Sequence, residues 1–196
     1  MTPIRKVVSI LKKNNKLSKE KSLLRLIRGW LLLIFILLLI LFVGIQMLHR
    51  QQRVIGSSMY PTLRDGDSVV IDTLSYRFVE PSRFDVIVFP FRYQEDTLYI
   101  KRIIGLPGET VQIQDGKVFI NGAQLDESVY DFDPIAQAGL ASAQITLGQD
   151  EYFVLGDNRN DSADSREPTV GNISGSEIIG RALLRVLPLN RFGLVR

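Results

Sequence analysis

Hydrophobic and polar positions divide the chain into two regimes. From Trp30 to Leu48, WLLLIFILLLILFVGIQML, nineteen residues carry no charge, and no polar side chain interrupts them before Gln46. As a helix rising about 1.5 Å per residue this stretch reaches roughly 28 Å, close to the roughly 30 Å hydrocarbon core of a bilayer. A core helix of a soluble domain would keep a polar stripe. A cleavable leader would have a shorter apolar core and small residues at its end. This segment ends on Met47-Leu48-His49-Arg50, so the pattern predicts a retained transmembrane helix over 30–48.

Beyond it the period changes from helical to alternating. VVI (69–71), FDVIVFPF (84–91), LYIKRIIG (98–105), TVQIQ (110–114), KVFI (117–120), EYFVLG (151–156) and RALLRVL (181–187) are short and rich in β-branched and aromatic residues. Asp65-Gly66, Pro107-Gly108, Asp115-Gly116 and Asn121-Gly122 separate several of them as turn signals. Asp115-Gly116 between two alternating runs predicts a two-residue hairpin. No run suits the long crossover helices that parallel strands need. The expectation is a mostly β, antiparallel domain over 49–196, with a loop-rich excursion over 123–147 inside a variable insertion at about 117–150.

Charge refines this division. The net +3 is a sum of unlike parts: residues 1–29 hold nine Lys/Arg and one Glu, a local +8, whereas residues 49–196 hold fifteen Lys/Arg against twenty Asp/Glu, a local −5. A uniformly basic nucleic-acid binder is thereby excluded. The basic arm before the span and the sparse charge just after it place the N-terminus in the cytoplasm by the positive-inside rule, and the β domain outside. The arm reads as a topology signal.

Composition also narrows the chemistry. There is no cysteine and one histidine, His49. Cysteine nucleophiles, disulfide scaffolds and multi-histidine metal sites are therefore ruled out, and neither a cofactor nor a metal is expected. Four polar segments flanked by apolar strands remain: GSSMYPTL (56–63), RFDVIVF (83–89), YIKRIIGLPGE (99–109) and GDNRNDSADSR (156–166). The last lacks the oxygen-ligand spacing of a calcium loop. Lys101 and Arg102, adjacent on a strand, point to opposite faces, so one of them enters apolar surroundings. A lysine there loses proton affinity and can act as a general base. Serine with lysine is a known variant of the nucleophile–base pair, although a turn serine and a snorkelling surface lysine would give the same local pattern.

In order and spacing, behind an N-terminal anchor, the four segments resemble bacterial type I signal peptidases, the membrane-bound Ser-Lys endopeptidases. The resemblance covers 53–110 and 151–187 well and weakens across 117–150. It implies Ser58 as nucleophile, with its backbone N–H in the oxyanion hole, and Lys101 as general base. It implies Ser162 as the hydroxyl that hydrogen-bonds and orients the lysine, and Arg102, Asp164 and Arg166 as one charged cluster bracing the site. Met59, Leu63, Tyr99 and Ile100 match positions lining the pocket for small substrate side chains. The extended stretches before Ser58 and before Lys101 would pair with the substrate as an added strand. The implied partners are signal-peptide-bearing preproteins, cut after A-x-A-type small residues, and the lipid bilayer. Oligomeric state is left open.

Two positions depart from the pattern. Gly56 stands where some members place a serine donor, so the oxyanion hole relies on backbone. Phe84 stands where glycine is usual, which is expected to affect strand packing rather than chemistry. Four alternatives accompany this reading: a non-catalytic relative assisting pilus assembly, a peptidase dedicated to a few surface proteins, a self-cleaving Ser-Lys repressor and a Ser-His signal peptidase. The repressor class is soluble and carries a DNA-binding segment, unlike this chain, and His49 lies at the membrane edge before the four segments.

Overall fold

The computed structural model describes residues 25–42, 51–94 and 97–196. The chain separates into two compact units, Met1–His49 and Arg50–Arg196. Within the first, helix α1 (Arg25–Phe42) has a mean hydropathy of 2.4 and none of it is buried in protein. It begins five residues before the uncharged stretch and takes in Arg25 and Arg28. Most of the basic arm, the last part of the expected span and His49 lie outside the described residues.

All seven strands expected from alternation are present in the second unit: β2 (Ser68–Asp72), β3 (Val86–Pro90), β4 (Leu98–Gly105), β5 (Thr110–Gln114), β6 (Lys117–Ile120), β9 (Glu151–Leu155) and β11 (Gly180–Leu187). Five shorter strands join them: β1 (Gln51–Arg53), β7 (Ala123–Gln124), β8 (Ile145–Thr146), β10 (Ile173–Ser174) and β12 (Gly193–Leu194). Runs of two or three residues carry no period, which is why alternation does not reveal them. The large sheet runs β1-β2-β11-β3-β4-β9-β10 with β12 on β11, and a smaller one runs β7-β6-β5-β8. Every pairing is antiparallel. The Asp115-Gly116 turn joins β5 to β6 with both residues at positive φ, 48° and 75°, the two-residue hairpin turn whose twist matches its strands.

Burial on both faces explains the uninterrupted apolar run of β3. Val86 and Val88 belong to one core with Val54, Met59, Leu63 and Ile100, whereas Ile87 and Phe89 belong to another with Ile103, Tyr152 and Val154. A third core, including Ile104, Val111, Val118, Leu147 and Phe153, joins the small sheet to the ends of β4 and β9. Part of the expected loop-rich excursion is thus regular: β7 and β8 fall inside it, and Ile135, Ala141 and Leu147 anchor it.

Candidate active site

The segment after β1 is held by its backbone. Val54 donates to Asp67 O at 2.8 Å and accepts from Gly66 N at 2.9 Å. Gly56 adopts φ +88°, a region costly for side-chain-bearing residues, and donates its N–H to the Asp65 carboxylate at 2.9 Å. A tight turn then closes with Leu63 N–H on Met59 O at 2.8 Å. Ser58 stands at its start. Its carbonyl accepts from Asn158 N at 3.0 Å, and Ser57 Oγ donates to Asp161 at 2.5 Å. These bonds fasten the segment to the loop after β9. They leave the Ser58 hydroxyl facing β4 and its N–H without a partner among the described residues.

On β4, Lys101 is 4 % exposed and lies within hydrogen-bond reach of that hydroxyl, Nζ to Oγ 2.7 Å. The Tyr99 ring lies 5.0 Å from the ammonium, and no carboxylate among the described residues is within ion-pair distance of it. Burial pulls the Lys101 pKa from 10.5 down to about 8, against the opposing fields of Asp164 and Asp157. With its pKa near 8, a fraction of the amine is neutral at physiological pH, and that form, bonded to a serine hydroxyl, is equipped to take its proton.

Arg102 is buried as well, on the opposite face. Its Nε and Nη2 bind the two oxygens of Asp157 at 2.7 and 2.6 Å, and its Nη1 donates to Phe84 O at 2.8 Å. The Tyr130 ring lies 4.6 Å from its guanidinium carbon. Asp157 is a partner that sequence reasoning missed, although it sits in the fourth polar segment two residues after β9. Asp164 and Arg166 form a separate pair, Nε to Oδ1 2.7 Å and Nη2 to Oδ2 2.9 Å. The expected single charged cluster is therefore two ion pairs, because the loop after β9 gives each cation its own carboxylate, Asp157 to Arg102 and Asp164 to Arg166. Asp164 also accepts Gly156 N–H at 3.0 Å, pinning the loop's first turn. Phe84 packs against the third core and the Tyr130 ring. It adopts φ 70°, which accounts for glycine being usual there, and its carbonyl holds Arg102.

Ser162 does not make the expected hydrogen bond to Lys101: its buried hydroxyl has no partner among the described residues. The hydroxyl packs against Gly156, while the Lys101 ammonium is turned to Ser58. A Cβ built on Gly156 would overlap Ser162 Oγ and approach Ser58 O to 2.5 Å, so the absence of a side chain there is what lets the two loops meet.

A groove of about 480 Å³ runs beside this pair, lined on one side by 52–59 and on the other by Gln94 and 97–101. Met59, Tyr99 and Ile100 line it as expected. Leu63 does not: it is fully buried in the core with Val69 and Val86. Val54, Ile55, Leu98 and Ala163 line the groove without having been anticipated. Ile103 and Thr97 use their backbone on the β3 side. Alternation along an antiparallel pair then turns the backbone groups of Leu98 and Ile100 to the other edge. That edge stays open until β9 takes it at Arg102↔Leu155.

The profile of a family described as "Signal peptidase, peptidase S26" matches residues 27–187. The chain belongs to this family. It is 41% identical over 162 residues to "Signal peptidase I" of Leptolyngbya laminosa, covering 79% of this chain and 77% of that protein. It is 30% identical over 179 residues to "Signal peptidase IB" of Staphylococcus aureus, covering 83% and 91%. A crystal structure of a signal peptidase I from Enterococcus faecalis is 34% identical, with 53% of this chain and 97% of that chain covered and a TM-score of 0.43. As a member of the S26 signal peptidases the chain is a serine endopeptidase. The family is membrane-associated, and α1 is an apolar helix of the kind that associates.

Proposed function

We propose that this signal peptidase removes N-terminal signal peptides from secreted preproteins with Ser58 and Lys101 as its reacting pair. The observation that carries the reading is a half-buried serine hydroxyl bonded to a desolvated lysine amine at the mouth of a groove with an open strand edge. In the proposed reaction Ser58 Oγ attacks the carbonyl carbon of the residue before the scissile bond while Lys101 Nζ takes its proton. The tetrahedral oxyanion lies on the Ser58 N–H. Collapse breaks the C–N bond, and the lysine returns the proton to the departing amine. Water then attacks the acyl-enzyme, losing its proton to Lys101, and releases the signal peptide and Ser58.

The groove suits a substrate strand laid on Leu98 and Ile100 by β-augmentation. Met59 and Ile100, apolar side chains lining it, favour small apolar side chains at the cleavage site. Arg102 with Asp157, and Arg166 with Asp164, act as positioning pairs behind it. The preceding apolar helix anchors the chain in the bilayer with its basic arm in the cytoplasm and the β unit outside, where signal peptides arrive membrane-inserted.

Ser58→Ala and Lys101→Ala, each in the full-length protein, are expected to abolish cleavage of a preprotein, a fall of at least about 10³ in kcat/KM. Circular dichroism should stay unchanged. Near-normal cleavage by either variant would overturn the pair, and a wild-type protein inert on every preprotein would favour the pilus-assembly alternative.

A further inference from the structure

A second cavity of about 350 Å³ lies behind the loop after β9, between residues 136–139 and 159–167. Two clamps hold its walls apart. At one end Asn160 binds Ala136 N and Pro134 O, at 2.9 and 3.1 Å; at the other, Arg166 binds Gln137 O at 3.2 Å and accepts from Leu140 N at 2.9 Å. Asp161 and Ala163 line this cavity and the groove alike.

A peptide on the open edge of β4 cannot continue along the sheet past Lys101, because β9 takes that edge at Arg102. Beyond the reacting pair it must climb over the loop 156–166, and the space it meets there is this cavity. The charges lining it are unequally matched. Arg159 and Arg166 are neutralised by Glu127 and Asp164. Asp161 and Glu167 accept only from the hydroxyls of Ser57 and Thr169 and have no cation within ion-pair distance among the described residues.

Resting on the function proposed above, we infer that this cavity receives the first residues of the mature chain, those after the scissile bond. Its unmatched carboxylates make it favour basic over acidic side chains there. The groove and the cavity then read different halves of one substrate, the groove by size and the cavity by charge.

The test uses full-length protein in detergent and peptides that share one Ala-x-Ala segment but carry either Lys or Glu at the second and third positions after the scissile bond. The wild type should prefer the Lys peptide about three- to tenfold in kcat/KM, the scale of partly exposed charge pairs. Glu167→Lys should invert the preference, and Glu167→Gln should bring it towards one. Gln137→Trp, which fills the cavity, should raise KM for peptides with a long mature segment and not for one ending at the first residue after the bond. Cleavage of both peptides with a ratio that Glu167→Lys leaves unmoved overturns the cavity's role and leaves the proposed function standing. Failure of the wild type to cleave the peptides or a preprotein overturns the function, and this inference with it.

Discussion

On one face of β4 the Arg102 guanidinium is met by both oxygens of Asp157, by Phe84 O and by the Tyr130 ring. On the other, one residue earlier, Lys101 is nearly as buried but meets one hydroxyl and one aromatic face. A buried charge with a full set of acceptors stays charged and holds structure together. A buried charge without a carboxylate lowers its cost by giving up its proton. Adjacent positions on one strand therefore serve opposite ends, fixed position at Arg102 and proton transfer at Lys101.

The strongest way to break this contrast is Arg102→Met. It strands the buried Asp157 carboxylate without its partner, and should cost about 3–5 kcal/mol in urea unfolding, the usual penalty for half a buried pair. A change below about 1 kcal/mol would show that the pair is not structural.

Next in size is Gly156→Ala. The added methyl pushes on Ser162 and on the Ser58 carbonyl, and a displacement of about 1 Å at the reacting pair should lower kcat about a hundredfold. The same overlap should lower stability by about 1–3 kcal/mol in urea unfolding, and an unaltered kcat would contradict the geometry.

Lys101→Met should act with the reverse sign to Arg102→Met. The folded-state pKa of Lys101 lies at about 8, below the ordinary 10.5, so the folded chain resists a proton that the unfolded chain accepts. Stability falls as pH drops from 10.5 towards 8 and stays at the lower level beneath. Removing the amine should therefore raise stability by about 1–3 kcal/mol at neutral pH, while ending activity. The gain should fade above about pH 10.5, and a loss of stability at pH 7 would refute the account of burial.

The smallest effect is the pH profile of the wild type. Neutral Lys101 becomes populated as pH rises through about 8, so kcat/KM should climb about tenfold per unit below that value and level off above it. A flat profile between pH 6 and 9 would remove Lys101 as the titrating base.

Much of this molecule was legible from the chain alone, for a local reason. A period of two residues and a turn such as Asp115-Gly116 are properties of neighbours, so seven strands and one hairpin followed from them. The same holds for the apolar length that makes α1 and for the missing cysteines that left serine and lysine as candidates. Leu63, Ser162 and the charged cluster were misjudged because each depends on where a side chain points after distant segments meet. Leu63 turns into the core with Val69 and Val86. Ser162 faces Gly156 instead of Lys101. Arg102 is matched by Asp157, fifty-five positions away, and is covered by Tyr130 from an excursion that has no readable pattern.

What the sequence determined by itself was the inventory: an apolar helix, short antiparallel strands, one serine in a turn and one lysine on a strand. Only tertiary structure decided that Ser58 and Lys101, forty-three residues apart, share a hydrogen bond while Arg102 receives the acid. Desolvation and hydrogen-bond matching are set by everything packed around a group, and no local period encodes them.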